Sequence, residues 1–213
     1  MKDIGMFPLN LVLFPGSQFP LHIFEEKYIN LINECWLKNL EFGVNYSDEN
    51  GIQDIGCLAK VTKVWNTTSE GSFDIIVVGT EKYLLDSEFK NVNDEIFYRA
   101  DIKLVKDYSF EVDQYLLSTT KNLFSTLLDS IKFENLEDKL FAKEWIANAN
   151  SYLFATKSGL SSNQKLELLK MGSENERLEY LIDHLKMIIP GIKKNESIKM
   201  IHLNDGYLVM DNK

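Results

Sequence analysis

Up to about residue 107, apolar positions come in short runs separated by turn residues, a pattern that predicts strands. Candidate strands cover residues 4–9, 18–24, 41–46, 56–65, 72–78, 82–89 and 97–105. In the last of these Tyr98, Ala100, Ile102 and Leu104 share one face, because successive strand side chains point to opposite sides. The polar stretch Asn66-Thr67-Thr68-Ser69-Glu70-Gly71 reads as a hairpin tip between two strands. One helix interrupts the series. It starts near Glu25 and carries Tyr28, Leu31, Ile32, Cys35 and Trp36 at helical spacing.

Beyond residue 107 the period becomes helical. Val112, Tyr115, Leu116, Thr119, Leu123 and Leu127 form one stripe. Residues 140–154 read as a second helix, with Phe141, Trp145 and Tyr152 on one side and Ile146 and Leu153 on another, which predicts a central helix with Trp145 in the core. Ser161-Ser162-Asn163-Gln164 and Ser173-Glu174-Asn175-Glu176 both have capping-box spacing. The helix opened by the second carries Leu178, Leu181, Ile182, Leu185, Ile188 and Ile189, and Pro190-Gly191 is expected to end it. Four helices are predicted in this half. Residues 199–203 and 207–210 flank Asn204-Asp205-Gly206, a hairpin-like tail with turn chemistry at its centre.

The division is therefore a β part at 1–107, a helical part at 108–191 and a tail at 192–213, in a chain whose 45% apolar residues suffice for a packed core. The formal net charge of −9 makes nucleic acid a poor general partner, since an acidic surface repels phosphate. Cys35 and Cys57 sit among apolar neighbours with no CxxC spacing, as expected of buried free thiols in a reducing compartment. Residues 9–14 are too short an apolar run for a secretory signal, and no stretch approaches the ~20 apolar residues of a membrane span. A cytoplasmic protein with no membrane partner is expected.

The most specific run is Met6-Phe7-Pro8-Leu9-Asn10-Leu11-Val12-Leu13-Phe14-Pro15-Gly16, continuing through Phe19-Pro20-Leu21-His22-Ile23-Phe24-Glu25 to Lys27-Tyr28. Pro8, Pro15 and Pro20 are three of four prolines in the chain, so this segment should meander at a sheet edge. Gly16 suits a turn position with positive φ. The run resembles the opening of the Lon protease N-terminal, or LON substrate-binding, domain family. Phe42-Gly43-Val44, residues 56–61, Val78-Gly79-Thr80, residues 164–169 and Arg177-Leu178 extend the likeness, which spans roughly residues 4–190. Glu26 stands where the family often has proline, and Lys27 and Lys82 where it often has arginine. A lysine lacks the planar fork for bidentate pairing.

The resemblance implies an α+β fold: an N-terminal pseudobarrel (PUA-like) β domain with one inserted helix, then a C-terminal helical bundle. It also implies a role in substrate recognition, and because the sequence carries no ATPase or Ser–Lys peptidase segment, a stand-alone member is expected. Within the motif, Pro8, Phe14, Pro15, Gly16, Pro20, His22, Phe24, Glu25 and Tyr28 are expected to be structural.

The search for chemistry excludes more than it offers. No GxxxxGK[ST], GxSxG, HExxH or GxGxxG occurs. His22, His184 and His202 have no ligand spacing, so neither metal nor cofactor is expected, and His184 should be solvated. Glu25 and Glu26 favour a helix dipole. The reading is a non-catalytic module that binds unfolded or partner polypeptide, in protein quality control or as a recognition adaptor. Phe14, Phe19, Trp65 and Phe73 are its candidate contacts, and a free strand edge is a further way to hold a chain. The alternatives are a small-ligand adaptor and a hydrolase of unknown type. Homodimerisation through the tail is a further expectation, because an uncovered apolar hairpin invites association.

Overall fold

The computed structural model describes residues 2–65, 71–90, 97–109, 111–129 and 136–194. The element order is β1 (Lys2–Leu9), β2 (Gln18–Ile23), α1 (Glu26–Lys38), β3 (Phe42–Asp48), β4 (Gly51–Trp65), β5 (Phe73–Leu85), β6 (Arg99–Leu104), α2 (Gln114–Asp129), α3 (Leu136–Asn148), α4 (Ser151–Lys157), α5 (Ser162–Lys170) and α6 (Glu174–Lys194). The chain forms two compact units, Met1–Lys106 and Asp107–Lys213.

In the first unit six strands make one sheet in the order β2-β5-β4-β3-β1-β6. β1 and β3 run parallel; the other pairs are antiparallel. The sheet closes on itself because β5 is long enough to serve two neighbours. Its residues Phe73–Val78 pair with β2 and Tyr83–Leu85 pair with β6. Residues 72–78 and 82–89, read from sequence as separate strands, thus form one strand through Gly79-Thr80. β4 carries two register shifts, at Cys57/Ala59 and Val61/Lys63, which help to bend it around the closure.

Two apolar clusters fill this unit. One joins Tyr28, Leu31, Ile32 and Cys35 of α1 to Phe42, Val44, Ile75 and Val77 of the sheet. Trp36, expected on this stripe, is exposed one position further round the helix. The other cluster centres on Tyr83, Met6, Leu58 and Ile102. The Tyr83 ring leaves no room for a Cβ on Gly43 or Gly56, and its buried hydroxyl donates to Asn45, whose amide donates to the Gln53 carbonyl at 2.8 Å.

The three prolines occupy distinct niches. Pro20 lies on the edge strand β2. Pro8 is in β1, an interior strand, but beyond the residues that pair with β6, so its missing N–H breaks no ladder bond there. Pro15 and Gly16 form the centre of a turn: the Ser17 amide donates to the Phe14 carbonyl at 3.0 Å and Gly16 has φ +79°. Proline then glycine at the central positions is the chemistry of a type II turn. The turn is pinned by bonds from the Gly16 amide to the Gly79 carbonyl and from the Gly79 amide to the Ser17 carbonyl. A Cβ on Gly79 would sit 2.2 Å from the Phe14 carbonyl oxygen. Gly79→Ala should therefore destabilise by about 1–3 kcal/mol, as overpacking does; a chemical denaturation curve unshifted from wild type would contradict it.

In the second unit the helical stripe of α2 is turned from its predicted position. Thr120, Phe124 and Leu127 are buried, and Tyr115 is exposed. Residues 140–154 are not one helix. α3 ends at Asn148, and Asn150 caps α4 by accepting a bond from the Leu153 amide at 3.0 Å. The described residues of this half hence hold five helices rather than four. Trp145 is half-buried, in edge contact with the fully buried Phe154. The Ser161–Gln164 capping box is complete. In the second box Ser173 caps the Glu176 amide, but the Glu176 carboxylate accepts from the Gly172 amide and the Tyr108 hydroxyl.

Pro190 does not end α6, which runs on to Lys194. Proline forfeits one helical bond, yet the helix continues past it. His184 is buried, not solvated; its Nε2–H donates to the Ser158 carbonyl at 2.8 Å. Residues 66–70 of the predicted hairpin tip and residues 195–213 of the predicted tail lie outside the described residues, while residues 192–194, assigned to the tail, continue α6.

Candidate functional site

Alternation along β2, β5 and β4 sorts side chains onto two faces. Ile23, Phe73, Ile75 and Val77 enter the core, with Phe19 and Leu21 packed partly buried against it. The other face presents Gln18, Pro20 and His22 from β2, and Asp74, Ile76 and Val78 from β5. Strand register sets His22, Asp74 and Trp65 side by side in one row across three strands. His22 Nδ1 lies 2.7 Å from Asp74 Oδ1. Phe24, just past the end of β2, stacks on His22 with centroids 5.9 Å apart and is 66% exposed. Trp65 is 38% exposed, with the Lys63 ammonium 5.8 Å from its ring centroid.

This row corrects the contacts predicted from sequence. Phe14 and Phe73 are only 1% and 5% exposed, so neither can touch a partner. Phe19 is partly buried, leaving Trp65, 38% exposed, as the one predicted contact that is exposed. Phe24 belonged to the motif expected to be structural, yet its ring faces solvent. Alternation from the buried Ile23 was the available signal, since neighbours on a strand point oppositely. Of the remaining motif residues, Tyr28 is buried and stacks on Phe7 at 4.0 Å. Glu25 is the N-cap residue of α1 and pairs with Lys27 at 3.1 Å.

The backbone of β2 adds a second feature. The Gly79–Ser17 bond fixes which residues of β2 face β5. By the alternation of an antiparallel ladder, Phe19, Leu21 and Ile23 bond to β5, while Gln18, Pro20 and His22 turn their backbone groups away from it. Among the described residues no strand lies on that side.

Burial pushes the Cys35 thiol up to about 11 and the Cys57 thiol higher still, so neither is poised as a thiolate. Among the described residues no cluster of His, Cys, Asp and Glu could hold a metal ion. No described helix is long and apolar enough to cross a membrane. A cavity of about 350 Å³ opens within the first unit, lined by Ile4, Leu31, Cys35, Lys60, Phe97 and Arg99 among others. Arg99 is committed there to Asp3 at 2.7 Å.

Residues 3–187 match the family described as the ATP-dependent protease La (LON) substrate-binding domain. The chain is 28% identical over 195 residues to the Lon protease of Cytophaga hutchinsonii, covering 81% of this chain and 22% of that protein. It is 23% identical over 211 residues to the Lon protease of Porphyromonas gingivalis, covering 89% of this chain and 24% of that protein. It thus spans under a quarter of these relatives, and the matched family is the substrate-binding domain, not the ATPase or peptidase. Solved structures that share the fold include two Lon N-terminal domains. The Lon N-terminal domain protein from Xanthomonas campestris superposes with a TM-score of 0.64 at 21% identity, covering 86% of this chain and 98% of that one. The N-terminal domain of Mycobacterium avium complex Lon protease gives 0.64 at 17% identity, covering 87% and 98%.

Proposed function

The chain belongs to the LON substrate-binding domain family, and from that premise we propose that it is a non-catalytic module that holds unfolded or partner polypeptide on the outer face of β2, β5 and β4. The observation that carries this reading is the exposure of Phe24 and Trp65 near His22 and Asp74, beside an edge of β2 that no described strand pairs. Exposed aromatics are common anchors in interfaces because they bury a large area with few rotors. A quality-control or adaptor role in the cytoplasm fits two buried free thiols.

Titration with reduced, carboxymethylated α-lactalbumin, followed by fluorescence anisotropy of the labelled probe, tests the proposal. Weak binding without nucleotide is expected, as for a single module with a modest interface. Phe24→Ala and Trp65→Ala should each weaken it about fivefold to tenfold, the effect of losing ~1–1.4 kcal/mol. Binding that needs ATP, or affinities unmoved by both substitutions, would refute this surface. No ATP turnover and no casein fragments above a mock preparation should appear, since no P-loop or catalytic constellation is present in the sequence.

The cavity of about 350 Å³ supports a second reading, a small-ligand adaptor, because its size falls in the range of ligand sites. A Lys60→Ala change that removes binding of a small molecule while leaving polypeptide capture intact would favour it. For dimerisation, deletion of residues 195–213 is the test: light scattering should give half the mass if the tail joins two copies.

A further inference from the structure

Resting on the polypeptide-binding reading, we infer the mode of capture: an extended segment of unfolded polypeptide adds to β2 as a further strand. The argument is one of donor and acceptor complementarity. Gln18 and His22 each turn an N–H and a C=O away from β5, and Pro20 turns away a C=O alone. Among the described residues none of these groups meets a protein partner. They recur at every second residue, the spacing that another extended backbone matches and a helix does not.

Side chains then select what the added strand carries. Phe19 and Leu21 are only partly buried, packed against the core on the inner face of the edge strand. Apolar residues at i and i+2 of an incoming strand would lie beside them, since neighbouring strands share faces. Its alternate residues would lie beside Gln18, Pro20 and His22, within reach of the exposed Phe24 ring. The occupant is therefore an extended, unstructured segment with apolar residues two apart. Pro20 withholds one donor from the edge, and this tempers pairing with any strand that happens to pass. It leaves two donors and three acceptors, enough for weak, sequence-tolerant capture.

The test uses the full chain with overlapping synthetic peptides tiled from reduced, carboxymethylated α-lactalbumin. Amide hydrogen exchange by NMR is read with and without a bound tile. The Gln18 and His22 amides should slow by at least about tenfold on binding, while Phe19, Leu21 and Ile23 are already protected by β5. The same tile, N-methylated at alternate residues, should lose binding at least about tenfold in one methylation register and keep it in the other. This change leaves the protein untouched. His22→Pro, which removes one outward donor from the edge, should weaken binding likewise, provided its melting curve remains cooperative. A tile that binds with Gln18 and His22 exchange unchanged, and in both methylation registers, would overturn strand addition while leaving polypeptide binding intact. Failure of every tile and of the parent probe would overturn both readings. Protection of Gln18 and His22 that grows with protein concentration alone would overturn the inference in favour of a second copy at this edge.

Discussion

Replacing Arg177 with methionine should cost about 3–5 kcal/mol, the size expected when one partner of a buried charge network is removed. The side chain is 2% exposed. Its Nη1 and Nη2 form a fork on Asp107, at 3.2 and 2.6 Å, and Nη2 also meets Glu174 at 3.0 Å. Nε donates to the Ser151 hydroxyl at 2.8 Å and Nη1 to the Met171 carbonyl at 3.2 Å, while the guanidinium lies 4.2 Å from the centroid of the Tyr152 ring. One side chain thus ties the segment before α2, the start of α4, the end of α5 and the first turn of α6 together. Methionine keeps much of the stem volume but leaves Asp107 and Glu174 poorly exposed without their cation. Lysine should recover only part of the loss, because a point charge cannot replace the planar fork. Urea unfolding midpoints of Arg177→Met and Arg177→Lys measure both claims. A midpoint for the methionine variant within error of wild type would show that the network contributes little.

Phe154→Ala should cost about 3–5 kcal/mol, as for a large aromatic truncated in a core. Phe154 is fully buried, stacks on Phe124 at 4.5 Å and meets Trp145 edge-on at 5.6 Å. Trp145, which the sequence pattern places at the centre, is the half-buried lid of this trio. Trp145→Ala should accordingly cost less, about 1–3 kcal/mol, because part of its surface is already in water. Melting temperatures of the two variants give the ranking directly. A larger drop for Trp145→Ala would mean that α3, and not α4, supplies the core of the second unit.

Some of this protein is written locally and can be read without a structure. The strand-to-helix change near residue 107, the hairpin flanks of β4 and β5, and the Ser161–Gln164 capping box depend on side-chain period and near-neighbour hydrogen bonds. The Phe14–Ser17 turn is of the same kind, since proline fixes one φ and glycine admits a positive one. The family motif was legible for a related reason, being an unbroken run whose prolines and glycine meet local backbone demands.

Other features are set between segments distant in sequence. Gly79 reads locally as a break between two strands. In the fold it continues one strand, pairing with Ala59 of β4, and the Phe14 carbonyl lies where its Cβ would be, a contact that exists only once β2 and β5 pair. His184 reads as an ordinary helix-surface residue, and Arg177 stands out only through the family likeness; both are buried, where Asp107, Ser151 and Ser158 from distant positions meet them. The exposed row was decided in the same way. Sequence alone ranks Phe14, Phe19, Phe73 and Trp65 as similar rings near turns; strand register sends Phe14 and Phe73 into the core and sets Trp65 beside His22 and Phe24. Hydrophobic period fixes which residues can share a face, and only the pairing of strands decides whether that face meets the core or water.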